Sequence, residues 1–353
     1  MKIAMITDIH WGARNDSKYH ADNLIKFFDE IFFPKLDDEK IDTCLILGDT
    51  WENRKSLNIM TLNRAFRHFF DELEKRNIRT VMIYGNHDVV MKNTNEFNSI
   101  DFLGKMYSNI EVIKTHKIIE FDGLPIAFLS WVNNGNLQES LEFIRTAEAP
   151  ILCGHFEIKS FEMIKGHVCD QGFDKSIFDR YESVYSGHFH TMSTDGRIQY
   201  ISNTNQTNWS DYGLKKGFRI LNTATRELEF VENPFEVYGK IAYEDTIDVL
   251  EFDYEQFRGK VVRVYVQSFG VCNQQKLSLF VERLNQFAHA IDVFEVDETQ
   301  YNTEAEGSDS TDMRVVIDQY IDDVVQNELI DKNKLKNYFM DLFSEAASTV
   351  ETD

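Results

Sequence analysis

Five short apolar runs constrain this chain, because each ends in side chains able to hold a metal. Ile3–Ile6 leads into Asp8-x-His10, Cys44–Leu47 into Gly48-Asp49, and Val81–Tyr84 into Gly85-Asn86-His87-Asp88. Ile151–Cys153 leads into Gly154-His155, and Val184–Tyr185 into Gly187-His188-Phe189-His190. Apolar runs this short, bounded by glycine and polar residues, read as strands. Helical spacing appears between them: Leu24, Phe27, Phe28 and Ile31 within Asn23–Leu36, then Leu62, Phe66, Phe69 and Phe70 within Ile59–Leu73. Alternating strands and helices predict an α/β fold, a sheet covered by helices. Strands that end together in such a sheet gather their terminal residues around one crevice.

The residue types then point to chemistry. Residues two apart on a strand share a face, so Asp8 and His10 can address one cation. Alone, that pair reads equally well as a strand-end carboxylate beside a hydrogen-bonded histidine. Gly85 permits a tight turn after its strand. Asn86 offers a neutral oxygen, and His87 beside Asp88 has an orienting partner, as a general acid needs. His188 and His190 fall on the same side, with Phe189 directed into the core. Together the groups supply carboxylates, imidazoles and one amide, enough for two divalent cations side by side. Paired metals commonly serve in-line displacement at phosphorus.

D-x-H, G-D, G-N-H-D, G-H and G-H-x-H, in this order over roughly residues 1–243, resemble the calcineurin-like metallophosphoesterase superfamily. The layout is most similar to the SbcD-type DNA repair nucleases, in particular those of T-even-type phage recombination complexes. The resemblance implies a β-sandwich flanked by helices, with a small α/β capping domain and a C-terminal helical segment. It implies one metal held by Asp8, His10, Asp49 and His190, and a second by Asp49, Asn86, His155 and His188, with Asp49 bridging. Mn²⁺ is the expected ion, with Mg²⁺ as a substitute. His87 would act on the departing oxygen and Asp88 would orient it. The implied activity is exonuclease or endonuclease hydrolysis of DNA in recombination and double-strand-break processing, as a nuclease dimer bound to an SMC-like ATPase of the SbcC type. One departure stands out. Some family members carry His or Asp three residues after the bridging aspartate, where this chain has Glu52.

The rest of the chain bears on what that site works with. Arg197–Ser202, Gly217–Asn222 and Glu227–Glu232 read as consecutive strands of a hairpin extension closing a nuclease domain at 1–243. A βαβ-like capping unit occupies 244–296, with strands Val261–Val266 and Ala290–Val296 around a helix at Gln274–Phe287. Residues 297–312 read as an acidic linker. Residues 313–348 carry two helical apolar stripes, led by Ile317 and Leu335, and the resemblance makes them the ATPase-docking segment. The formal net charge of −22 argues against a free-standing nucleic-acid binder, though not against a nuclease, whose metals change the local field. Four cysteines without metal-type spacing suggest buried thiols in a reducing compartment. With no leader and no membrane-length apolar run apparent, the expected location is the cytoplasm. A phosphatase or cyclic-nucleotide phosphodiesterase on the same fold is the main alternative, and the residues after Tyr243 argue against it. A non-catalytic scaffold is a second, and the complete ligand set argues against that.

Overall fold

In the computed structural model, which describes residues 1–164, 166–267 and 272–296, two six-stranded sheets enclose a common apolar layer. The first sheet runs Leu228–Asn233, Lys216–Asn222, Lys2–Ile6, Thr43–Ile46, Arg79–Ile83, Ile110–Ile113. Its last four strands are parallel. The second runs Ser193–Thr194, Ile198–Tyr200, Ser183–Gly187, Ile151–His155, Leu124–Leu129, His116–Phe121, with four parallel strands at its centre.

Side-chain alternation explains the unbroken apolar runs. Ile3, Met5, Leu45 and Val81 face the layer between the sheets, where they meet Phe128, Cys153 and Tyr185. Ala4, Ile6, Cys44, Ile46 and Met82 face the helices. A strand covered on both faces reads as a nearly continuous apolar run.

The first predicted helix runs longer than expected, as Lys18–Phe27, a π-helical turn at Phe28–Phe32, and Phe33–Glu39. Ser17 caps its start by accepting from the His20 amide. The second, Ile59–Ala65, passes through its own π turn at Phe66–Phe70 into Asp71–Lys75. A π turn holds an extra residue and so rotates the next helical segment about the axis. Adjacent phenylalanines can then all turn inward: Phe27, Phe28, Phe32, Phe33, Phe69 and Phe70 are buried, with Phe28 and Phe69 rings 4.4 Å apart.

Two expectations are corrected. The three late strands are not a hairpin extension. Lys216–Asn222 and Leu228–Asn233 do form a hairpin, but its first strand pairs antiparallel with Lys2–Ile6 inside the first sheet. Ile198–Tyr200 lies in the other sheet, parallel to Ser183–Gly187. The chain crosses between sheets through Ser202–Thr207, a polar run that is buried throughout. The strand Tyr238–Tyr243, assigned from sequence to the end of the first domain, pairs in parallel with Val261–Gln267. It opens a three-stranded sheet completed by Ala290–Val296. Helix Gln274–Leu284 covers that sheet with Leu277, Phe280 and Leu284. The 297–312 linker and the 313–348 helices fall outside the described residues. Among the described residues no helix is long and apolar enough to cross a membrane.

Candidate metal centre

All five motifs sit at C-terminal ends of parallel strands, three from the first sheet and two from the second, and they converge on one cleft. The convergence is tight. Gly48 has φ +94°, and a Cβ there would lie 2.5 Å from His155 Nδ1. A Cβ on Gly85 would lie 2.1 Å from Asp49 Oδ1. Asp8, His10, Asp49 and His188 have φ of 49°, 51°, 50° and 88°. Left-handed backbone at non-glycine residues is costly and concentrates at functional sites.

The side chains form two donor groups. In one, His10 Nε2 is 3.1 Å from His190 Nε2 and 3.8 Å from Asp8 Oδ1, with His190 Nε2 3.6 Å from the same oxygen. In the other, Asn86 Oδ1 is 3.0 Å from His155 Nε2 and 2.9 Å from His188 Nδ1. Asp49 stands between them. Its Oδ1 accepts from the His87 amide at 2.7 Å, and its Oδ2 is 3.2 Å from His155 Nε2 and 3.9 Å from His10 Nε2. His155 Nδ1 is 2.8 Å from the Leu47 carbonyl, which can only accept, so the proton of a neutral ring sits there. Nε2 of that ring then aims a lone pair at the Asn86 and Asp49 oxygens. Electron-rich atoms facing one another in a buried space fit a cation, and the mixed N and O set suits a divalent first-row metal or Mg²⁺.

Electrostatics agree. Burial pushes the Asp8 carboxyl up, but His155 and the His10 contact outweigh it and bring it to about 2. Burial also opposes a charge on Asp49, yet His155 holds it well below the usual carboxylate range. Burial disfavours a charged His155, while Asp49 and Asp8 raise it to about 9. His188, buried and facing His155, is driven down to about 3. A proton on His155 therefore helps balance the carboxylates, and a bound cation would displace it.

A profile of the Calcineurin-like phosphoesterase family matches residues 1–192, more than half of the chain. The chain belongs to the calcineurin-like phosphoesterases. Exonuclease subunit 1 of Enterobacteria phage T4 is 27% identical over 348 residues, covering 98% of this chain and 99% of that protein. Among solved structures, a novel archaeal phosphodiesterase is 16% identical over 66% of this chain and 100% of its own, at a TM-score of 0.34. The phosphopantetheinyl hydrolase of Mycobacterium tuberculosis is 12% identical over 65% of this chain and 95% of its own, also at 0.34.

In this calcineurin-like phosphoesterase the cleft holds about 310 Å³ and is lined by His10, Asp49, Asn86, His87, His188 and His190 together with Arg14, Glu52, Thr207 and Asn208. The expected pairing of Asp88 with His87 does not occur. Asp88 is fully buried and turned to the backbone: its Oδ1 accepts from the Thr50 amide at 3.0 Å and its Oδ2 from Gly85 at 2.9 Å. The tight turn sends successive side chains to different sides, so Asp88 ties the Asp49 loop to the Gly85 turn. His87 is oriented instead by the Glu52 carbonyl, 2.7 Å from Nδ1. That leaves Nε2 as the nitrogen open to the cleft.

Glu52 has a second contact. Its Oε2 lies 2.7 Å from His10 Nδ1, a close charge contact that is off the hydrogen-bond line. Burial opposes its charge, but His10 brings Glu52 to about 2. Sequence spacing singled out Glu52 without revealing either contact. It missed Trp131, whose ring packs 5.3 Å from His188 and 5.9 Å from His155, and it missed Thr207 and Asn208. Arg14 also lines the cleft, while Lys18 pairs with Asp22. Phe189 enters the core and stacks on Tyr200 at 4.5 Å, as expected. The remaining histidines have structural partners: His20 meets Tyr238 Oη at 3.0 Å, His68 lies 3.7 Å from Asp29, His116 stacks on Phe143 and His289 on Tyr19.

Proposed function

We propose that this chain is a two-cation nuclease that hydrolyses phosphodiester bonds of DNA in recombination and break processing. The carrying observation is the Asp49 carboxylate, with one oxygen fixed by the His87 amide and the other poised between the two donor groups. The near full-length similarity to a phage exonuclease subunit favours DNA over a small phosphate ester. Asp8, His10, Asp49 and His190 would hold the first cation; Asp49, Asn86, His155 and His188 would hold the second. Mn²⁺ is the preferred ion, with Mg²⁺ a substitute. Cations bound there would supply an activated water and Lewis-acid stabilisation of the phosphoryl oxygens. Glu52 holds His10, and its carbonyl keeps the His87 ring turned so that Nε2 faces the departing sugar oxygen. Asp88 positions the loops by accepting from the Thr50 and Gly85 amides.

The nuclease works as a homodimer in the cytoplasm, with the 313–348 segment docked on an SMC-like ATPase. Ile59 and Met60, 81% and 66% exposed where the second helix begins, favour a dimer contact through the N-terminal helices. The test is Mn²⁺-dependent cleavage of single- and double-stranded DNA by the purified chain, with and without the ATPase. His87→Ala should keep two bound Mn²⁺ yet lose roughly 10²–10⁴-fold in turnover. Loss of a metal in that variant would make His87 a ligand. A chain cut at residue 311 should still hydrolyse a simple phosphodiester but no longer co-purify with the ATPase. Unchanged ATPase binding would refute the docking assignment.

A further inference from the structure

Behind His190 lies a lysine–carboxylate pair that the hydrolysis above does not use. Lys216 Nζ and Asp211 Oδ1 are 2.6 Å apart, and the two side chains are 2% and 1% exposed. Lys216 also donates to the His190 carbonyl at 2.9 Å, and Ser202 Oγ donates to that same oxygen at 2.7 Å. The other Asp211 oxygen accepts from the Thr207 amide at 2.8 Å, the Thr207 hydroxyl at 3.1 Å and the Asn208 amide at 3.3 Å. Thr207 and Asn208 form part of the cleft wall. The same wall is tied outward: Tyr238 Oη donates to the Thr207 carbonyl at 3.0 Å, and Gln206 Oε1 accepts from the Val237 and Tyr238 amides. One buried ion pair thus joins the backbone of a candidate ligand to the Thr207–Asn208 part of the cleft wall, and through Thr207 to the three-stranded sheet.

Two charges taken out of water are costly, and an apolar pair of equal volume often holds a core at least as well. What an apolar pair cannot do is fix a direction. The His190 carbonyl is held by two donors, and the ring on that residue must reach the Asp8 and His10 atoms at 3.6 and 3.1 Å. Groups one layer behind a metal ligand govern its aim and hence its affinity. We propose that Lys216 and Asp211 are positioning residues that hold His190 at the first cation position and lock it to the Thr207–Asn208 wall. The proposal rests on the two-cation reading of the centre.

The test is Mn²⁺ binding to the full chain, measured calorimetrically and by electron paramagnetic resonance, with no turnover required. His190→Ala and His188→Ala mark which binding event belongs to which position. The double variant Lys216→Met/Asp211→Leu removes the pair without leaving an unpaired charge. It should fold and bind at the second position within about twofold of the parent, with first-position affinity weakened roughly 10–100-fold. Asp211→Asn, which keeps the volume and one acceptor, gives the same site-selective readout should the double variant not fold. Parent affinity at both positions would overturn the proposal. So would equal weakening at both, which marks a purely structural pair. A parent chain that binds fewer than two Mn²⁺ would instead refute the two-cation reading.

Discussion

Asp49 stands between the two donor groups, and its two oxygens do different work. One is anchored on a backbone amide, and the other is directed at both donor groups. Asp49→Asn keeps the shape but removes the charge that both cations need. Mn²⁺-dependent hydrolysis should vanish while circular dichroism stays unchanged; near-normal activity under limiting Mn²⁺ would refute the bridging role. A second residue-scale expectation concerns His20, whose pKa burial depresses to about 4, aided by the charges of Arg14 and His289. Between pH 6.5 and 4 the unfolded chain takes up a proton there that the folded chain refuses, so stability falls as pH falls. The loss by pH 5 is about 2 kcal/mol. The urea midpoint of His20→Gln should drop less than that of the parent between pH 7 and 5; parallel drops would refute this. The candidate ligands were legible because carboxylates, imidazoles and an amide at strand ends are chemically conspicuous. The orientation of Asp88 was not, because sequence adjacency to His87 says nothing about which way a tight turn aims each side chain. Nor was the pairing of Lys216 with Asp211, because a buried charge looks like a surface charge until its partner is located.

The strand ends are as specific as the ligands they carry. Gly85 faces Asp49 so closely that an added methyl group would sit 2.1 Å from Oδ1 and 2.4 Å from the amide nitrogen. Gly85→Ala should destabilise the fold by about 1–3 kcal/mol, as overpacking does, and weaken Mn²⁺ at both positions through Asp49. Gly123→Ala is the control: φ is +78° with nothing within 4 Å of the added carbon, so it should strain only its turn. Calorimetric Mn²⁺ titration separates the two, and undisturbed binding in Gly85→Ala would refute the argument. Strands buried on both faces were legible as short apolar runs, and the helices as 3.6-residue stripes. The π turns were not, since a single extra residue leaves the spacing nearly unchanged. Nor was the sheet membership of Tyr238–Tyr243 or Ile198–Tyr200. A strand's own sequence shows that it pairs, and its partner is chosen by the path of the chain. The buried crossing Ser202–Thr207 has the composition of a surface loop because its polar groups are satisfied internally, as where Asn203 Nδ2 donates to the Asn205 carbonyl at 2.7 Å.

For the molecule as a whole, a centre drawn from both sheets couples metal to stability. A cation bound only by the folded state stabilises it by about 2.7 kcal/mol at a hundredfold excess over its dissociation constant. Mn²⁺ should therefore raise the melting temperature of the full chain, with EDTA reversing the gain and His188→Ala/His190→Ala abolishing it. An equal gain in that double variant would place the stabilising metal elsewhere. The pairing of Lys2–Ile6 with Lys216–Asn222 has a further consequence, in time rather than in space. The Lys2–Ile6 strand waits for one of its two neighbours until more than two hundred residues have been added, and Asp8 meets His190 only near the end of that interval. Ribosomes add about 5–20 residues per second, so a nascent chain spends on the order of ten seconds or more with half a cation site and an unfilled strand edge. Competence at the metal centre thus waits until more than half of these 353 residues have been made, and fragments released earlier carry ligands but no centre.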